Sequence, residues 1–250
     1  MCATMVVTSG TLLRFVRWAL PKLARVEIEG RQRVPAEGPA IFVFNHLGIF
    51  DGPLAYLSIG REDTSGWVAE KNQANPFYAY LVRVIDGVWL DRANPQASSF
   101  KQALAWLRKG GAFGVAPEGN RSPTNVLLPG RPGVAYLAAM SGATIVPGGH
   151  TGTDIVWDEW KRLRKPVLRI RFGEPFTLPP LPREGRDAAL QAGIDEIMCR
   201  IAAILPEDYR GVYAEYPRVQ ELSATEPLPN RSQDTNVKSL PLSHIAEEGS

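Results

Sequence analysis

The chain alternates short apolar runs with segments of helical periodicity, and this alternation constrains its fold more than any other feature. The runs typical of strands are residues 40–44, 66–69, 88–90, 112–116, 144–146 and 167–172. The segments typical of helices are residues 51–59, 76–85, 95–108, 133–140 and 187–205. Strands that alternate with helices predict a single α/β domain built on a largely parallel sheet.

Polar signatures follow several of the predicted strands at the point where each strand ends. They are Asn45-His46, Asp91-Arg92, Glu118-Gly119-Asn120-Arg121-Ser122 and Gly148-Gly149-His150. In a parallel sheet the carboxyl ends of the strands meet at one edge, so we expect these residues to lie close together.

His46 and Asp51 are the first candidates for chemistry. A strand that ends before His46 and a helix that begins at Asp51 would fold the carboxylate back toward the imidazole. A carboxylate that accepts a hydrogen bond from one ring nitrogen leaves the other nitrogen ready to remove a proton from a substrate hydroxyl. The alternative is purely structural, with His46 bonded to a loop carbonyl and Asp51 capping its helix.

Two arginines at other strand ends indicate an anionic ligand. Arg92 and Arg121 could converge on a phosphate, whose geometry suits the planar fork of a guanidinium. Glu118 could orient an arginine or accept from a substrate hydroxyl, and Gly119 would let the backbone come close. The alternatives are a surface ion pair between Asp91 and Arg92 and an ordinary turn after the strand that ends near residue 116.

The N-terminal segment predicts a basic amphipathic helix. From Thr11 onward, one helical face carries the apolar residues Leu12, Leu13, Val16, Ala19, Leu20 and Leu23, and another carries Arg14, Arg17, Lys22 and Arg25. Pro21 predicts a kink or break. Packing on the core is one interpretation. Phe15 and Trp18 beside the cations favour the other, in which residues 1–29 lie on an anionic membrane surface.

Composition predicts the cellular compartment of the protein and whether it spans a membrane. Two distant cysteines predict a reducing compartment, and a secretory signal is not evident. The apolar stretch 133–149 is divided by Ser141-Gly142 and Pro147, so we predict no transmembrane span and a peripheral protein on the cytoplasmic face of a membrane. Residues 30–215 would form the main domain, and the polar composition of 216–250 predicts a disordered acidic tail.

Several other functions find little support. Gly-x-Ser-x-Gly is absent and neither cysteine lies near a histidine in sequence, which disfavours a covalent acyl-enzyme. A pI near 8.6 without a recognised motif disfavours nucleic acid. The basic cluster at 161–165, behind Trp157 and Trp160, is either a solvated loop, a contact for anionic lipid headgroups, or a site for the phosphates of a substrate.

In their order and spacing, these motifs resemble the four sequence blocks of the glycerolipid acyltransferases, the family that contains 1-acylglycerol-3-phosphate acyltransferase. The blocks correspond to Asn-His-x4-Asp at 45–51, Gly-Val-Trp-Leu-Asp-Arg at 87–92, Ala-Pro-Glu-Gly-Asn-Arg-Ser at 116–122 and Ile-Val-Pro at 145–147. The resemblance covers about residues 30–180. It implies a mixed, mostly parallel sheet flanked by helices and preceded by an amphipathic helix on the membrane.

The resemblance also implies roles for individual residues. His46 would be the general base and Asp51 its orienter. Substrate contacts would fall at Asn45, Lys71, Arg92, Glu118, Gly119, Asn120, Arg121 and Pro147, with Pro147 on the acyl-donor side and the arginines near the acceptor phosphate. The chain departs from the usual blocks at Ala116 and Asn120, where Phe and Thr are more common, and at Trp89 and Leu90. His150 has no assigned role.

The function that this resemblance implies is transfer of a fatty acyl group from an acyl-CoA or acyl-carrier protein to a hydroxyl of a lysophospholipid, with 1-acylglycerol-3-phosphate as the leading acceptor. No metal or cofactor would be needed, and a turn at 147–149 could offer backbone donors to the oxyanion. The alternatives are a non-catalytic lipid-binding protein of the same fold and a hydrolase of thioesters or phosphoesters.

Overall fold

One sheet organises the computed structural model, which describes residues 8–91 and 96–225. Its strands are β1 (Arg25–Glu29), β2 (Ala40–Phe44), β3 (Thr64–Ala69), β4 (Val88–Leu90), β5 (Ala112–Val115), β6 (Thr144–Thr151) and β7 (Val167–Phe172). Its helices are α1 (Ser9–Leu23), α2 (Asp51–Ile59), α3 (Pro76–Val84), α4 (Ala97–Arg108), α5 (Gly133–Ser141), α6 (Val156–Lys161), α7 (Arg186–Ala203) and α8 (Pro217–Thr225).

The strand order is β1-β7-β6-β2-β5-β3-β4, and every neighbouring pair is parallel except β6 and β7. The predicted mixed, mostly parallel sheet flanked by helices is therefore confirmed. Because β2, β3, β4, β5 and β6 run in the same direction, their carboxyl ends share one edge of the sheet.

Alternating side chains of β2 supply two apolar cores, one on each face of the sheet. Ile41 and Val43 join a cluster that includes α4, α5 and α7. Ala40, Phe42 and Phe44 join a cluster that includes α1, α2 and α6. A strand covered on both faces reads as a continuous apolar run, which is why residues 40–44 are recognisable in the sequence.

The predicted N-terminal amphipathic helix is present as α1. The Thr8 hydroxyl caps its start by accepting from the backbone N–H of Thr11 at 3.2 Å. Leu13 and Leu20 are buried, whereas Phe15 and Trp18 are 59% and 61% exposed. Pro21 does not break the helix, which continues to Leu23. No helix among the described residues is long and apolar enough to span a membrane.

The predicted turn at 147–149 is wrong. Residues 147–150 continue β6 between β2 and β7, and Gly148 pairs with both Phe44 and Phe172. A Cβ on Gly148 would lie 2.2 Å from the Phe44 ring, so only glycine fits at this position. The Pro-Gly-Gly sequence therefore serves close strand packing, and it does not form a loop that could present donors to an oxyanion.

The predicted disordered tail is wrong for its first part. Residues 217–225 form α8, which packs on α7 through the buried Val219. Arg218 also bonds Glu196 of α7, with Nε and Nη2 both at 2.9 Å from the carboxylate oxygens. The rest of the predicted tail, residues 226–250, lies outside the described residues.

Candidate active site

Asp51 closes the loop between β2 and α2 around His46. Its Oδ2 lies 2.7 Å from His46 Nδ1 and also accepts the backbone N–H groups of Leu47 at 2.7 Å and Gly48 at 2.9 Å. One carboxylate oxygen thus fixes both the imidazole and the backbone on which it is carried. Gly48 is needed here, since a Cβ would lie 2.9 Å from the Thr153 carbonyl oxygen.

The electrostatics of this pair set the tautomer of His46. Burial alone would raise the pKa of Asp51, but the hydrogen bond with His46 and the attraction of His150 and His46 bring that pKa below its usual value. An ionised carboxylate can only accept, so Nδ1 of His46 carries the proton and Nε2 remains a base. The His46 side chain is 22% exposed, so a substrate can approach it.

Glu118 holds His46 from the neighbouring strand. It follows β5 and is buried, with Oε1 accepting from the backbone N–H of His46 at 2.8 Å and Oε2 from that of Leu128 at 2.9 Å. Ser122 N–H donates to the His46 carbonyl at 2.8 Å. These contacts make Glu118 a positioning residue for His46, and direct contact with an acceptor stays a prediction. Burial raises the pKa of Glu118 to about 7, although the hydrogen bonds from the two backbone N–H groups act to lower it.

Asn45 joins the end of β2 to β6. Its amide nitrogen donates to the His150 carbonyl at 3.0 Å, and its amide oxygen accepts from the His150 N–H at 2.6 Å. Both residues are buried. Both polar atoms of the Asn45 amide therefore bond the backbone of His150, and Asn45 immediately precedes His46 in the sequence.

His150 is a member of this cluster that the sequence left without a role. Its ring stacks on Phe44 with centroids 4.8 Å apart, and burial lowers its pKa although the charge of Asp51 opposes this. The signal in sequence was its position at a predicted strand end. The sequence of residues 147–149 is typical of a turn, which hides this signal. In the structure β6 extends through these residues, so His150 lies beside the end of β2.

Gly119 and Asn120 of the third block lie beside Arg131, a second residue that the sequence motifs did not identify. Gly119 has a φ of +74°, and a Cβ there would meet the Arg131 Cδ at 2.8 Å. With its amide turned to satisfy both neighbours, Asn120 accepts from Arg131 Nη2 at 3.3 Å. Asn120 and Arg121 are exposed. Arg131 stands just before α5, and its charge so close to the third block was the available signal.

The remaining predicted site residues fall into three different situations. Lys71 is exposed in the turn that follows β3. Pro147 is buried inside β6 opposite Val43. Arg92 lies outside the described residues. Within the described part of the chain, no group of three or more His, Cys, Asp or Glu residues could hold a metal ion.

Comparisons with known proteins agree with this architecture. A family model described as Acyltransferase matches residues 25–151, the span from β1 through β6. The 1-acyl-sn-glycerol-3-phosphate acyltransferase of Cocos nucifera is 31% identical over 162 residues, which are 63% of this chain and 49% of the relative. The enzyme of that name from Limnanthes alba is 28% identical over 167 residues, 63% of this chain and 53% of the relative.

Among solved structures, the crystal structure of the 1-acyl-sn-glycerophosphate (LPA) acyltransferase PlsC from Thermotoga maritima matches with a TM-score of 0.57 at 22% identity, over 76% of this chain and 80% of that one. This likeness supports the fold. The chain spans about half the length of the curated relatives it matches. The family model covers half of the chain, including Asn45, His46, Asp51, Glu118 and His150. The chain therefore belongs to the acyltransferase family, as its four motifs predicted.

Proposed function

We propose that the protein transfers a fatty acyl group from an acyl thioester to a free hydroxyl of a lysophospholipid, with 1-acylglycerol-3-phosphate as the acceptor and phosphatidic acid as the product. The observation that carries this proposal is the geometry of His46. Its Nδ1 is held 2.7 Å from an ionised carboxylate while the ring remains partly accessible. The relatives named for this reaction support the choice of acceptor.

The reaction is a direct transfer. Nε2 of His46 removes the proton from the acceptor hydroxyl as the oxygen attacks the thioester carbonyl. When the tetrahedral intermediate collapses, the carbon–sulfur bond breaks and the imidazolium returns the proton to the departing thiolate. Asp51 stabilises the imidazolium in between. General-base assistance of this kind contributes roughly 10²-fold to 10⁴-fold, so positioning of the two substrates supplies the rest of the acceleration.

Cations at the same edge of the sheet would hold the acceptor phosphate. Arg121 and Lys71 are exposed after β5 and β3, and Arg92 is the third candidate. Guanidinium groups can bind phosphate oxygens in pairs, whereas an ammonium acts as a point charge. Gly119 and Asn120 lie beside Arg121 in sequence and would border this phosphate, and Pro147 stays the predicted residue on the donor side.

A lipid acceptor places the reaction at a membrane surface. The exposed aromatic side chains Phe15 and Trp18 and the basic residues of α1 suit the interface of an anionic membrane. We place the protein on the cytoplasmic face, where acyl-CoA and acyl-carrier protein are the available donors.

The test is an assay of purified protein with a labelled long-chain acyl-CoA, in the presence and absence of lysophosphatidic acid. Acceptor-dependent labelled phosphatidic acid supports the transferase, and release of labelled fatty acid without acceptor supports the hydrolase. Binding of lipid without turnover supports the non-catalytic alternative. His46→Ala should lose the acceptor-dependent product, and full activity in that variant would refute the mechanism.

A further inference from the structure

Leu163 protrudes from the surface at the turn that follows α6. Its side chain is 97% exposed, and its backbone has a φ of 55°, in the left-handed region that leucine rarely occupies. A leucine therefore stands where a glycine or asparagine would fit the backbone better and would suit water better. An apolar tip at a strained turn indicates that this side chain is used in contact with something outside the described chain.

Cations surround this tip. We call residues 161–165 the Leu163 turn. Its basic side chains are Lys161, Arg162, Arg164 and Lys165, all exposed. Asp158 lies 3.2 Å from Lys161, and Glu159 lies 2.6 Å from Arg164 and 3.6 Å from Arg162. Four positive charges thus face two negative ones, so the turn carries a net positive charge around an apolar centre.

The Leu163 turn is joined to the end of α1. Trp160 donates its ring N–H to the Leu23 carbonyl at 3.1 Å, and the backbone N–H of Arg25 donates to the Pro166 carbonyl at 2.8 Å. On α1, Lys22 lies 3.6 Å above the ring of the exposed Trp18. The turn and the C-terminal end of α1 therefore adjoin, and together they form a surface with apolar and positive side chains.

The same surface reaches the active site through an aromatic cluster. Phe50 packs against Trp157 at 5.6 Å and against Trp160 at 5.2 Å between ring centroids. Phe50 directly precedes Asp51, the partner of His46. Whatever binds the Leu163 turn is thereby placed next to the catalytic loop.

We infer that the Leu163 turn is a second membrane contact, in which Leu163 enters the interface of an anionic phospholipid bilayer while its flanking cations bind the headgroups. A bilayer accounts for the leucine, since insertion would bury a side chain that is otherwise almost fully in water. The flanking charges complement anionic headgroups. An acidic protein would complement the charges but would not require an apolar tip. This contact is additional to α1 and would orient the His46 site toward the lipid.

The test is co-sedimentation of Leu163→Asn with vesicles of phosphatidylcholine and phosphatidylglycerol. Asparagine tolerates the left-handed backbone, so the variant should fold at least as well as the parent protein. Loss of an inserted leucine should weaken vesicle binding roughly tenfold or more. Met140→Asn is the control, because Met140 is an apolar residue, 42% exposed, on α5, which packs on the opposite face of the sheet. It should bind like the parent protein.

Two outcomes would overturn the inference. The first is undiminished vesicle binding by Leu163→Asn; if that variant also binds an acidic acyl-carrier protein more weakly, the turn is a protein-docking site. The second is equal loss in the Met140 control. Sedimentation needs no acyl transfer, so failure of the proposed reaction would leave this result intact. Trp18→Gln tests α1 separately, and slower hydrogen exchange at residues 160–166 on vesicles would support insertion of the turn.

Discussion

The sheet edge that carries His46 has two groups of side chains, and they differ in how much of their geometry the protein itself fixes. The inner group, Asn45, His46, Asp51 and Glu118, is mostly buried, and its polar atoms bond the backbone of the loop after β2, of β6 and of the loop after β5. The outer cations, Lys71 and Arg121, are exposed and make no hydrogen bond or ion pair within the described residues. In the proposed mechanism, the base is therefore prepared before substrate arrives, whereas the phosphate site would be completed by the phosphate.

This difference has a physical cause. A base works only if its tautomer and direction are set in advance, and burial strengthens the hydrogen bonds that set them. A cation that captures a phosphate from solution works best exposed, but its attraction is screened by salt. Variants of the inner group should therefore lower both turnover and stability, and variants of the outer cations should weaken acceptor binding without unfolding the protein.

Asp51→Ala should give the largest loss of stability in this comparison. It removes the acceptor of one imidazole nitrogen and two backbone N–H groups at once, which should cost about 3–5 kcal/mol in the free energy of unfolding. Turnover should fall roughly 10²-fold to 10⁴-fold, since His46 loses its orientation. Denaturant unfolding and steady-state acyl transfer measure the two effects.

Asp51→Asn separates the structural part of this effect from the chemical part. The amide oxygen can still accept from Leu47 and Gly48, so the loss of stability should be smaller than in the alanine variant. An amide does not stabilise an imidazolium as a carboxylate does, so turnover should remain low. An asparagine variant with normal turnover would show that the charge of Asp51 is dispensable.

Asn45→Ala should come next. The substitution leaves the buried N–H and carbonyl of His150 without their partners, which should cost about 2–4 kcal/mol in the free energy of unfolding. The end of β6 would separate from β2, and turnover should fall with it because Asn45 precedes His46. Asn75→Ala, which removes an exposed helix cap at the start of α3, is a control that should cost less. Equal losses would contradict the importance given to burial.

Much of the inner group was predictable from the sequence because strand periodicity and strand ends identify it. Val43 and Phe44 lead directly into Asn45-His46, and the boundaries of β2 and α2 were predicted correctly. A parallel sheet then requires that residues following β2 and β5 share an edge, which the bond between Glu118 and the His46 backbone confirms. Local periodicity is therefore sufficient to predict the boundaries of β2 and α2 and the sheet edge that their connecting loop shares with Glu118.

The rest depended on contacts between distant segments, which periodicity does not report. The bonds between Asn45 and His150 join residues 105 positions apart, and a strand containing Pro147-Gly148-Gly149 resembles a turn until β2 and β7 are placed on either side of it. Helix α8 was missed for a similar reason. Its sequence is polar, and it is stabilised by Val219 and Arg218 packing on α7.

Glu118→Gln should have a moderate effect that depends on pH. The folded protein holds this carboxyl at a pKa of about 7, above the ordinary value of 4.5, because burial disfavours its charge. Between these values the folded state binds more protons than the unfolded state, so Glu118 makes stability fall as pH rises from about 4.5 to about 7. The glutamine variant should lack this part of the slope.

The measurement is the free energy of unfolding of both proteins at several pH values across that window. The difference between the two curves isolates Glu118 from the other carboxyl groups, Asp51 included. A constant difference at all pH values would contradict the assigned titration, and the bonds to His46 and Leu128 would then account for the whole effect of the substitution.

Arg121→Gln should have the smallest effect on stability. It tests whether the exposed outer cations bind the acceptor phosphate without contributing to folding. An exposed side chain without partners among the described residues should change the free energy of unfolding by less than about 0.5 kcal/mol. The KM for lysophosphatidic acid should nevertheless rise about tenfold, because a charge-assisted hydrogen bond to phosphate is lost. Because the proposed mechanism assigns proton transfer to His46, kcat should change little. The KM of the parent protein should rise more steeply with salt than that of the variant. Arg121→Lys should recover part of the affinity, as it keeps the charge without the planar fork.

Arg183→Gln, at an exposed position before α7, is the matched control and should leave KM unchanged. If Arg121→Gln instead lowered kcat at constant KM, Arg121 would act on the reacting atoms, and the division between a prepared base and an exposed phosphate site would have to be abandoned.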